Sequence, residues 1–282
     1  MRIRKRFLQI LLPGFLLMLV YPTLLVGGEA IVPSQPIKLF NGKDLSNFYT
    51  WIVNHSKSDP LRVFTVVEEI DGAAAIRVSG ENWGGLVTNE EFHDYRLVVE
   101  FRWGLPTWGV RKGSARDSGV LVHSQGRDGN TREDFNGPWM RSMEAQIIEG
   151  GVGDFISIPG YDEDGTQSSP AFTITARKPE NDQPYFDPRG EKIRIERWRV
   201  NWFGRDPNWK DVIGFRGAKD VESPEGQWTT MEVVCDGSSV TNIVNGVVVN
   251  ALTECAYTEG KIQFQSEGAE IYFRRIELLP LH

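Results

Sequence analysis

The chain has 282 residues, 40% of them hydrophobic, which is ample for one substantial core, and all-β folds of roughly 200 to 250 residues commonly form a single domain. A formal charge of −7 argues against a nucleic-acid backbone as partner, since the phosphates would be repelled. The 29 glycines suit a turn-rich β fold, and the 9 tryptophans suit carbohydrate surfaces as well as cores.

Residues 1–30 read as a signal peptide rather than as part of the fold. Arg2, Arg4, Lys5 and Arg6 form a basic start, residues 7–26 are apolar, and Gly27, Gly28 and Ala30 supply the small residues of a cleavage site. An N-terminal anchor is the competing reading, because the apolar run is nearly long enough to span a bilayer. Pro13, Gly14 and Pro22 weaken it. The expectation is export to the periplasm or beyond, with residues 31–282 as one mature domain and no integral membrane segment.

From there the chain reads as short strands between turns. "AAAIRVSG" (73–80) and "WGGLVTN" (83–89) come first, then "YRLVVEFRW" (95–103), where Leu97, Val99 and Phe101 alternate with Arg96, Val98, Glu100 and Arg102. "SGVLVHS" (118–124), "SMEAQIIEG" (142–150), "AFTITAR" (171–177) and "KIRIERWRVNWF" (192–203) follow. The last are "TTMEVVCDG" (229–237), "SVTNIVNGVVVNAL" (239–252), "GKIQFQSEG" (260–268) and "EIYFRRIELL" (270–279). Asn245-Gly246 between two valine-rich runs predicts a tight hairpin. No convincing helical period interrupts this series, so the pattern predicts an all-β sandwich or jelly roll with long loops in its middle third. Cys235 and Cys255, the two cysteines, are open to two readings, a disulfide between neighbouring strands or buried thiols.

Six stretches taken together resemble one known family. They are "LFNGKDLSNF" (39–48), "GGLVTNEEFHDYRLVVEFRW" (84–103), "ARDSGVLVHSQG" (115–126), "SMEAQIIEG" (142–150), "GQWTTMEVVCDGSSVTNIVNG" (226–246) and "GKIQFQSEGAEIYFRRIELLPL" (260–281). In this order they resemble the 3-keto-disaccharide hydrolase domain, a concanavalin-like jelly roll, over nearly the whole mature chain. The resemblance implies an exported protein of sugar metabolism that cleaves 3-keto-glycosides. A ketone at C3 acidifies the C2 hydrogen, a base removes it, the enolate expels the anomeric group, and water adds at C1. Such a site needs a carboxylate base, positive charge near the enolate oxygen and an acid for the leaving oxygen.

Glu144 fits the base, with Gln146 on the same strand face. The layout E-x-Q-x-x-E also resembles the catalytic strand of laminarinase-type glycoside hydrolases, but Gln146 stands where those carry an aspartate, which speaks against paired-carboxylate displacement. Glu149 is expected to join this face only through a bulge near Ile148. On "RDSGVLVHS", Asp117, Gly119, Leu121 and His123 share one face, so His123 is a candidate proton shuttle, with a structural histidine as the competing reading. Arg116 is a candidate for the same cleft, Gln265 for a sugar hydroxyl, and Trp139 for a stacking platform under a pyranose ring. Glu267 stands where the family commonly has histidine, which leaves sugar, metal or solvent as its partner. A divalent cation such as calcium is a candidate cofactor; "GYDEDGT" (160–166) is its closest acidic match, although a solvated charge run explains that loop as well. Two further classes compete with an enzyme: a non-catalytic carbohydrate-binding module, and a structural domain if the middle loops cover the Glu144 face.

Overall fold

The computed structural model describes residues 28–177 and 183–282. The proposed signal peptide, apart from residues 28–30, lies outside the described residues. Among the described residues no helix is long and apolar enough to cross a membrane, and the only helical element is a 3-10 turn at Gly109–Arg111.

Two antiparallel sheets make a jelly-roll sandwich. The larger has eleven strands and is built around Tyr95–Thr107, which lies between Thr229–Asp236 and Ala269–Leu279. The smaller has seven, in the spatial order Trp198–Val200, Phe155–Ile158, Arg141–Ile148, Asp117–Gln125, Lys261–Ser266, Gly84–Thr88 and Phe48–Ile52. Consecutive strands therefore trade sheets repeatedly, and the pairing is non-local.

Period-2 alternation explains how the sheets meet. Leu97, Val99 and Phe101 of the larger sheet pack into one core with Val120, Val122, Met143, Ala145, Ile147, Ile262 and Phe264 of the smaller. Phe264 lies edge-on to Phe273 of the opposite sheet at 5.2 Å and to Phe48 of its own at 6.1 Å. Truncating such a ring to alanine costs about 3–5 kcal/mol. The residues between these core positions must face the other way, and that outward face of the smaller sheet carries the polar side chains discussed below.

The hairpin at Asn245-Gly246 forms as expected, between Ser239–Val244 and Val247–Thr253, with both turn residues at positive φ (48° and 80°) as a type I′ turn demands. Residues 192–203 are not one strand. The chain leaves the larger sheet at Ile195, passes through Trp198 at φ 84°, and enters the smaller sheet as Trp198–Val200. Alternation has the same period in either sheet, so it cannot mark a change of sheet. Phe64–Ile70 and Phe155–Ile158 are strands that the sequence did not announce. Cys235 and Cys255 are both free, buried thiols.

Candidate active site

Register assembles the site. Leu121 pairs with Glu144 and Gly119 with Gln146 across one strand boundary; Gln263 pairs with Leu121 across the next. Gln263 and Gln265 then pair with Val87 and Gly85 on the far side. Asp117, Glu144, Gln146, Gln263 and Gln265 therefore stand on the outward face, with Glu267 just past the end of its strand. All but Glu267 are nearly fully buried, Glu144 at 2% exposure and Gln265 at 0%. Gly119 lies beneath the meeting point of two of them. A Cβ there would stand 2.5 Å from Glu144 Oε1 and 2.5 Å from Gln265 Oε1, so only glycine leaves them room.

This face breaks the usual rule that buried polar atoms find partners. Glu144 Oε1, Asp117 Oδ1 and both amide heteroatoms of Gln263 and of Gln265 have no hydrogen-bond partner within the protein. Gln146 differs, its Oε1 accepting the Ile147 N–H at 3.1 Å.

Burial sets the electrostatics. Desolvation pushes the Glu144 carboxyl up to about 8, with Asp117 repelling in the same direction, while Arg199 offsets part of the rise. Asp117 goes up to about 7, again chiefly by burial, opposed by Arg111, whose guanidinium lies 3.3 Å away, and by Arg199. Glu267 is raised well above the usual carboxylate range by burial of its carboxyl, then by Asp117 and Glu144. Three carboxyls that repel one another cannot all ionise near neutrality, so the cluster holds both proton acceptors and proton donors. Arg199 reaches it from the sheet edge. It is held 2.8 Å from Asp154 Oδ2, an atom it shares with Arg205 at 2.7 Å.

Three of the expected site residues lie elsewhere, and a fourth, Trp139, borders the face near Gln263 without offering an open ring. His123 does not share the Asp117 face: the register slips between Val122 and Gln125, and His123 takes φ 53°. Its ring turns into the core, 6.4 Å from the Tyr95 ring of the opposite sheet, and burial lowers its pKa to about 4. Nor does a bulge return Glu149 to the face, because the strand ends at Ile148. Glu149 instead accepts from the Arg116 guanidinium at 2.7 Å, from the Arg116 N–H at 2.9 Å and from the Gly214 N–H at 3.0 Å. Arg116 is spent on that pair and on Glu225 at 2.9 Å, so both residues staple a loop and neither approaches Glu144's face. Trp139 is no open platform: it is 9% exposed, donates its indole N–H to the Gly84 carbonyl at 3.0 Å and stacks on Trp83 at 5.5 Å. Trp83 is the more exposed ring of that pair.

Arg111, Arg199 and Gln263 join the site, and of these neither arginine was singled out from the sequence. Gln263 was legible as the next outward residue before Gln265. The two arginines were not, since each arrives from an element whose place depends on the whole fold.

The calcium expectation finds no matching donor set. Asp162 pairs with Arg141 at 3.1 Å and Asp164 accepts the Thr166 N–H at 2.9 Å. Among the described residues no group of three or more His, Cys, Asp or Glu side chains is arranged to hold a metal ion.

The molecule is thus an all-β jelly-roll sandwich that buries unpaired carboxyls and amides on the outward face of its smaller sheet. Residues 35–279 match the 3-keto-alpha-glucoside-1,2-lyase-like domain, and the chain belongs to that family. A carbohydrate-related function follows. No curated protein matches the sequence. Among solved structures, a candidate glycosyl hydrolase from Parabacteroides distasonis is 18% identical, with 88% of this chain and 94% of that chain covered and a TM-score of 0.47. The β-glucanase of Bacillus licheniformis is 10% identical, covering 87% and 97%, at 0.40. The carbohydrate-binding module CBM66 from Bacillus subtilis is 10% identical, covering 76% and 91%, at 0.41.

Proposed function

We propose that the Glu144 face cleaves 3-keto-glycosides by elimination. The observation that carries this reading is Glu144 itself, a buried carboxyl with a free oxygen, raised to about 8, in mutual repulsion with Asp117 and Glu267 and within the field of Arg199. Such a pKa lies near a neutral operating pH, where a general base works best.

Glu144 takes the C2 proton, and the electrons of that C–H bond become the enolate of the C3 ketone. Arg199 and Arg111 supply the positive charge that favours the enolate oxygen. The enolate collapses to a C1–C2 double bond and expels the anomeric oxygen, which takes a proton from Asp117 or Glu267, whichever carboxyl is neutral. Addition of water to C1, with return of a proton to C2, completes a hydrolysis. Gln263 and Gln265 offer amides to the sugar hydroxyls. No step is routed through a metal, because no group of three or more His, Cys, Asp or Glu side chains among the described residues is arranged to hold one. Residues 1–30 serve export, which places the reaction outside the cytoplasm.

A binding module without turnover is the second reading, favoured by the same unpaired amides. The near-complete burial of Glu144 favours the third, a structural domain. Turnover of methyl 3-keto-glucoside by the mature protein, beside Glu144→Gln and with and without a chelator, separates the three. Loss of turnover with retained sugar affinity in the variant supports the base assignment, and chelator sensitivity would reopen the metal question. Sugar binding without turnover in the wild type selects the module, and neither activity selects the structural domain.

A further inference from the structure

We infer that Asp211 is a positioning residue, holding the Arg111 guanidinium between itself and Asp117 from a loop outside both sheets. The inference rests on the reading of the Glu144 face as the site of reaction. Asp211 lies in the connection between Trp198–Val200 and Thr229–Asp236, a stretch without strands.

Arg111 meets the two carboxyls unequally. Its terminal nitrogens donate to the two oxygens of Asp211 at 3.2 Å each, the planar fork that suits a carboxylate. Toward Asp117 it offers a single contact, 3.3 Å from Oδ2, and the nitrogen that makes it also donates to the Ala115 carbonyl at 2.6 Å. Asp211 Oδ1 accepts the Ala115 N–H at 3.0 Å as well, so Asp211 fixes the backbone two residues before Asp117 together with the cation opposite it. Exposure separates the partners, with 43% of the Asp211 side chain open against 8% for Asp117. A hydrated carboxyl costs little to ionise and a buried one much, so Arg111 is compensated chiefly from the solvent side.

The loop is itself pinned to the end of the strand that carries Glu144. Glu149 accepts the Gly214 N–H at 3.0 Å through its carboxylate and the Trp209 indole N–H at 2.8 Å through its carbonyl. Gly150 packs beneath the loop's two rings: a Cβ there would stand 2.8 Å from the Phe215 ring and 3.2 Å from that of Trp209. Asp211 sits between these fixed points. The staple formed by Glu149 and Arg116 thereby sets where the counter-charge of Arg111 stands.

Asp117 faces Arg111, Arg199 and Arg205 on the positive side, and Asp211, Glu144 and Glu267 on the negative. Deleting the Asp211 charge removes one repulsion and leaves Arg111 to act on Asp117 alone, and both changes favour the ionised Asp117 carboxyl. The test follows that carboxyl by 13C NMR of aspartate-labelled protein, its signal assigned by its loss in Asp117→Asn. Asp211→Asn keeps an oxygen for the Arg111 and Ala115 N–H groups while deleting the charge, and Asp211→Ser is the second variant if the first misfolds. The expected result is a titration midpoint about one pH unit below that of the wild type, which lies near 7. A merely structural Asp211 would lower Tm and leave the midpoint in place, and an unchanged or raised midpoint overturns the inference. The titration needs no substrate, so it separates two failures. A lowered midpoint in a protein that turns over no 3-keto-glycoside keeps the positioning role and discards the reaction. Turnover by the wild type with an unmoved midpoint in the variants does the reverse.

Discussion

Glu144 stands five residues before Glu149 and ten before Asp154, yet these buried carboxyls are built on opposite principles. Asp154 and Glu149 are saturated: Asp154 accepts from Arg199, Arg205 and the Trp202 N–H, and Glu149 from Arg116 and two backbone N–H groups. Glu144 keeps a free oxygen, and Asp117, beyond Arg111, keeps another. Saturation makes a carboxylate a staple. Starvation makes it a reagent, because desolvation without compensation raises its affinity for a proton. Arg199 joins the two clusters, fixed by the saturated one so that its charge can act on the other.

Glu144→Gln is the sharpest test of this contrast. It is expected to lower kcat on a 3-keto-glycoside by about a thousandfold, within the range that general bases contribute, with sugar affinity retained in titration. A variant that keeps wild-type turnover would place the base elsewhere.

Asp154→Asn attacks the staple instead. Removing one member of a buried charge network costs about 3–5 kcal/mol, since Arg199 and Arg205 then lack their counter-charge. Urea denaturation should show that loss, with turnover falling too as Arg199 comes adrift. A loss below about 1 kcal/mol would mean that the two clusters are not built differently after all.

The pH dependence has a defined sign. The folded pKa of Glu144 lies near 8 against an ordinary value of 4.5, so the folded protein binds the extra proton between those limits. Its contribution is fully present below about pH 4.5 and is lost as pH rises through 8. Glu144→Gln has no such proton to lose. Its Tm should match the wild type's near pH 4 and exceed it by about 2 °C or more at pH 9. Activity runs the other way, since the base must be ionised, and kcat/KM should climb toward pH 8. Parallel Tm curves for the two proteins would show that Glu144 is an ordinary carboxylate.

The smallest effect is expected at His123. Turned into the core beside Tyr95, it has no route to the substrate, so His123→Gln should lower stability while leaving kcat within about threefold. A large kcat loss without destabilisation would return it to the site.

Much of this was legible in the chain itself. Alternation over residues 95–103 and 142–148, with Asn245-Gly246 turned as a hairpin, determined strands, faces and an all-β class, because a period of two and a positive-φ turn are local properties. The same logic put Glu144, Gln146, Gln265 and Asp117 on outward positions, and the order of six motifs pointed to the family. Tertiary structure decided the rest. A register slip of the kind at His123 reverses a face without leaving a sequence mark, and a strand that ends at Ile148 hands Glu149 to Arg116 instead of to the site. Arg199 and Arg111 meet the carboxyls only after the sheet edge and the 109–111 turn are folded into place. Which carboxyl is starved and which is satisfied depends on contacts between strands distant in sequence, and alternation carries no information about those.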